Sequence, residues 1–108
     1  MNTNQAVFAC NMRALSPVEW VRHLANTARL IKTVRAVQEQ DQGYSLRFAN
    51  QTATILQVAK FVALERLCCP FFDFALDVRA GADSVALEIT GPEGIKDFIR
   101  SEFGEAIQ

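Results

Sequence analysis

Three cysteines, one histidine and a run of ten residues hold most of the reactive chemistry in this 108-residue chain. The run is Glu65-Arg66-Leu67-Cys68-Cys69-Pro70-Phe71-Phe72-Asp73-Phe74, and the third thiol, Cys10, lies 58 residues before its first cysteine. Thiolates are soft ligands suited to thiol-seeking ions. Three sulfurs without a CxxC spacing, and with only His23 as imidazole, fit poorly with a four-ligand structural zinc site. Mercuric or arsenite species, satisfied by two or three thiolates, match the set better. The expected soft metal or metalloid site is therefore Cys68 and Cys69, joined by Cys10 and by Glu65 as a carboxylate ligand.

The competing reading treats the cysteines as packing, because free cysteine is among the most buried residue types and behaves as a small hydrophobe. A third, thiol redox work, needs a thiolate of lowered pKa. A helix C-terminus disfavours one, since its carbonyl dipoles oppose an anion. Glu65-Arg66 reads as an ion pair or interface pair, and His23 as a surface or packing histidine. No Ser/His/Asp set, carboxylate pair or phosphate-binding loop is present, so no acid–base or nucleophilic machinery points to an enzyme. Three cysteines, two of them adjacent, do not form a secreted disulfide framework.

The elements that must place these groups are legible in outline. Ser16-Pro17-Val18-Glu19 is a capping box with proline at the first helical position, flanked by Leu15 and Trp20 at staple positions. Val21, Leu24, Ala28, Ile31 and Val34 then recur at spacings of three and four, predicting an amphipathic helix from Pro17 to about Gln40. Asp41-Gln42-Gly43 is a turn, and Tyr44–Phe48 alternates as a strand. Asn50 or Thr52 is placed to cap a second helix running to about Cys68. That helix is apolar around most of its circumference, so it is expected to be buried on more than one side. Pro70 ends it through the restriction on Cys69.

Phe71–Ala80 and Ser84–Thr90 alternate about a glycine-containing loop, which predicts an antiparallel hairpin. Gly91-Pro92-Glu93 opens a last helix with Ile95, Phe98, Ile99 and Phe103 on its apolar face and Gly104 as its C-cap. Residues 1–14, including Val7, Phe8 and Cys10, form a short strand or an ordered arm. The order (β)-α-β-α-β-β-α makes an α+β domain, a two-layer sandwich of an antiparallel sheet with helices packed on it.

Composition limits the partners. Residues 1–108 form one domain, and half of them are apolar. The formal net charge is −1, so no strong basic field exists to hold nucleic acid. The charge is uneven, with six basic against three acidic groups in residues 1–50 and five against nine thereafter. Such asymmetry can guide two copies head to tail or give a modest basic face, with an ordinary solvated surface as the plainer reading; a homodimer built on the second helix and Trp20 is the alternative to a metal-binding role. No apolar run spans a bilayer, and the first residues lack the pattern of a signal peptide. A cytoplasmic location is expected.

The pattern Glu65-Arg66-x-Cys68-Cys69-Pro70-Phe71-x-x-Phe74, with Gly91-Pro92-x-Gly94-x-Lys96-x-Phe98, resembles a set of small uncharacterised bacterial proteins. They share an ERxCCPFxxF core, a GPxGxKxF-type closing segment and a cysteine before the long helix, here Cys10. The resemblance covers most of the chain and implies a recurring design around Cys10, Glu65, Arg66, Cys68 and Cys69.

Overall fold

The computed structural model describes residues 8–107; Val7, part of the expected N-terminal strand, lies outside them. Helix α1 (Pro17–Lys32) is followed by strands β1 (Ala36–Gln40) and β2 (Gly43–Ala49). Helix α2 (Thr52–Cys68), strands β3 (Asp73–Asp77) and β4 (Ser84–Thr90), and helix α3 (Ile95–Ile107) complete the chain. The strands form one antiparallel sheet in the order β1-β2-β4-β3, with the helices packed on it. The α+β two-layer reading therefore holds.

The capping box forms as the sequence dictates. Glu19 N–H donates to Ser16 Oγ at 3.2 Å, and Ser16 N–H donates to Glu19 Oε1 at 2.8 Å. The far end of α1 differs from expectation. The helix stops at Lys32, where Thr33 N–H donates to Leu30 O, and the segment expected to extend it becomes β1. Val34 falls in step with Ile31 by coincidence of spacing. The downstream Asp41-Gln42 turn folds Ala36–Gln40 back on β2, pairing Ala36 with Arg47 and Gln40 with Gly43. Sheet hydrogen bonding outweighs a helical periodicity carried by one residue.

Which face of α1 is buried also differs. The apolar stripe Val18, Val21 and Leu24 is exposed, whereas His23, Asn26 and Leu30 are buried. Asn26 Nδ2–H donates to Gln57 O on α2 at 3.2 Å. On α2 the buried residues are Val58, Phe61, Glu65 and Cys68, one stripe at spacings of three and four. Leu56 and Leu67 are exposed, so α2 is buried along one side only. No side-chain cap forms on α2: Gln51 is its N-cap, and Asn50 Nδ2–H donates instead to Ala82 O across to the β3–β4 loop.

The core lies between sheet and helices. Tyr44, Leu46 and Phe48 of β2 and Val85, Leu87 and Ile89 of β4 meet Val58, Phe61, Ile95, Ile99 and Phe103. Gly104 does not end α3; the helix breaks its geometry at Phe103 and continues to Ile107. No strand precedes α1 among the described residues. Residues 8–14 form an arm, fixed to the end of α2 by Asn11 N–H donating to Cys68 O and to α1 by Trp20 Nε1–H donating to Met12 O at 2.7 Å.

Candidate functional site

The site forms where α1, the end of α2 and the arm meet. Glu65 is in the last turn of α2, Cys68 is its final residue and Cys69 its C-cap, with Cys69 N–H donating to Glu65 O. At φ −124° and ψ 73°, Cys69 leaves the helix, and this bend turns the two adjacent side chains toward one another. Their sulfurs are 3.9 Å apart. Both residues are buried.

Cys69 is joined to Cys10 in a disulfide, so Cys68 is the free thiol of the three. The three sulfurs expected as ligands thus converge, but two are bonded to each other and cannot ligate in this state. Cys10 reaches the site because the arm folds back on α2.

His23 corrects the sequence reading. It is neither an exposed histidine nor only a packing one: it is 2% exposed, and its Nε2 lies 2.6 Å from Glu65 Oε1. Glu65 is 6% exposed and pairs with His23 rather than with Arg66, which is exposed. Phe61 stacks on the imidazole at 5.7 Å between ring centroids. His23 Nδ1 is buried with no hydrogen-bond partner, a state that carries a desolvation cost. Cys68 Sγ is 3.8 Å from Glu65 Oε1. One ligand atom each from His23, Glu65 and Cys68 falls within 4.8 Å of the others.

Burial, and then the negative charge of Glu65, push the Cys68 thiol up to about 11. The helix end therefore holds a protonated thiol at neutral pH, which argues against a nucleophilic redox cysteine. An ion taken by Cys68 would displace its thiol proton, so binding there is coupled to proton release.

A cavity of about 380 Å³ opens onto these groups, lined among others by Cys10, Trp20, His23, Glu65, Cys68 and Phe98. Glu102 of α3 also lines it; burial, with a smaller contribution from Glu65, raises its carboxyl pKa. Sequence reasoning missed His23 and Glu102. For His23 the available signal was the spacing of His23, Asn26, Thr27 and Leu30, which place one face together. The stronger apolar stripe on the opposite side obscured it. Glu102 carried no signal of its own, because α3 meets α1 only through the tertiary fold.

No protein-family model, curated protein or solved structure matches this chain.

Proposed function

We propose that this protein binds a soft metal or metalloid ion through Cys68, assisted by Glu65 and His23, and that the Cys10–Cys69 disulfide gates the full site. One observation carries the reading: a sulfur, a carboxylate oxygen and an imidazole nitrogen converge within 4.8 Å beside two further sulfurs. Disulfides persist in oxidising compartments and are opened in the cytosol. In the cytoplasm expected from the sequence, the resident form carries three thiols at one point, enough for the two sulfurs that mercuric ion takes or the three that arsenite takes. The same reading extends to the ERxCCPFxxF proteins, whose shared residues include Cys10, Glu65, Cys68 and Cys69.

The test is titration of the reduced protein with mercuric ion and arsenite, followed by thiolate-to-metal ultraviolet absorption and thermal unfolding. Saturation near one ion per chain and a raised Tm are expected, and Cys68→Ala, which leaves two of the three thiols, is expected to weaken the response to arsenite more than the response to mercuric ion. Thiols that stay silent until the protein unfolds, with no ion-dependent stabilisation, overturn the reading.

A homodimer is a second reading, favoured by the exposed stripe Val18, Val21 and Leu24 with Met12 beside it. The interface then lies on α1 rather than on α2. Analytical ultracentrifugation is expected to show a dimer that Val21→Glu dissociates; a wild-type monomer at high concentration refutes it.

A further inference from the structure

A bare ion needs little more room than its ligands leave, yet about 380 Å³ of cavity stands over Cys68. That volume lies at the lower end of small-molecule sites, which run to roughly 300–1,000 Å³. Its walls are mostly apolar and aromatic, with Trp20, Leu24, Phe98 and Phe103 among them. Its chemistry is concentrated at Cys68, Glu65 and His23. With the disulfide closed there is a single free thiol, too few for a divalent soft ion that takes two sulfurs. It suits a metal that already carries one carbon ligand. Such a species, R–M⁺, is also a monocation, and Glu65 and Glu102 supply acidic groups around the cavity.

Resting on the soft-ion reading above, we infer that the site takes mono-organyl derivatives of a thiophilic metal, with the metal on Cys68 Sγ and the organic group against Trp20, Leu24 and Phe98. The step is a ligand exchange: R–M–X and the Cys68 thiol give R–M–S and HX. The M–X and S–H bonds break, the M–S and H–X bonds form, and no oxidation state changes.

The probes are phenylmercuric, methylmercuric and mercuric ions, offered to the protein with its disulfide closed and with thiourea as a non-reducing competitor. Intact-mass spectrometry reads the adduct, and a short cysteine peptide calibrates intrinsic thiol affinity. Relative to the peptide, phenylmercury is expected to be retained roughly tenfold or more over methylmercury, the order of effect expected from burying an aromatic ring. Leu24→Ser, an exposed position on the cavity wall, is expected to reduce that preference, whereas Val78→Ser, exposed and outside the cavity lining, is expected to leave it unchanged. Equal retention of phenyl and methyl species overturns this inference. So does failure of the closed protein to hold phenylmercury while the reduced protein holds mercuric ion, which leaves the soft-ion reading standing. Failure of the reduced protein to hold mercuric ion removes both.

Discussion

Cys68 combines a reactive element with an unreactive setting. Its thiol, held near 11 by burial and by Glu65, is almost wholly protonated at pH 8, where an ordinary cysteine is partly thiolate. Alkylation of native protein by iodoacetamide should therefore run roughly a hundredfold slower at Cys68 than at a free cysteine at that pH. The rate should climb about tenfold per pH unit until about pH 11. A fast, pH-independent reaction contradicts the burial of this thiol. Ion binding has the same sign: because it releases the thiol proton, apparent affinity rises with pH up to that value.

The His23–Glu65 contact makes a different prediction at the same scale. Removing one member of a buried pair leaves an uncompensated polar group, which costs more than removing both. His23→Ala should lower stability by about 3 kcal/mol. The double variant His23→Ala/Glu65→Gln should be more stable than His23→Ala alone. Urea unfolding measures both, and simple additivity of the two substitutions rules out coupling.

At the scale of elements, the packing of α1 on α2 is polar where an amphipathic reading expects apolar contact. Asn26 reaches the Gln57 carbonyl and His23 reaches Glu65, while Val18, Val21 and Leu24 face outward. Asn26→Ala removes a bond to a carbonyl that keeps its helical N–H donor, and should cost about 1 kcal/mol. A substitution of exposed Val18 by Ala should change stability by less than about 0.5 kcal/mol in the monomer. The sheet has its own tight point at Gly43, where β1 turns into β2 beside β4. A Cβ there would fall on the Ile89 carbonyl oxygen and lie 2.8 Å from Thr90 Cα. Both neighbours are backbone in a paired strand and cannot yield cheaply, so Gly43→Ala should destabilise by at least about 2 kcal/mol in denaturant unfolding.

For the whole molecule the disulfide is the long-range constraint. It ties residues 59 positions apart, and on the chain-entropy model a loop of that length contributes about 4 kcal/mol by restricting the unfolded chain. On that figure reduction, or Cys10→Ser, should lower the Tm by roughly 15 °C. Rebinding of a soft ion to the reduced protein should restore part of the loss, since a ligand that binds only the folded state stabilises it. A Tm unmoved by reduction is incompatible with the Cys10–Cys69 bond holding the arm. No helix among the described residues is long and apolar enough to cross a membrane, and the fold is held by its sheet–helix core and, in the oxidised form, by the Cys10–Cys69 cross-link.

Local chemistry determined a good part of this protein in advance. The capping box at Ser16 and Glu19, the β3–β4 alternation, the exit of α2 at Cys69-Pro70 and the two-layer class all follow from interactions within a few residues. So does the placement of Cys68, Cys69 and Glu65 at one helix end. Only the tertiary structure decided that Ala36–Gln40 is strand rather than helix, because the partner that stabilises it, β2, lies beyond a turn. It also decided that α1 buries His23 instead of Val21, since the choice depends on what α2 presents to it: Glu65, and the carbonyl of Gln57. The pairing of Cys10 with Cys69 belongs to the same category, for contacts between residues far apart in the chain are fixed by packing and leave no periodic mark in the sequence.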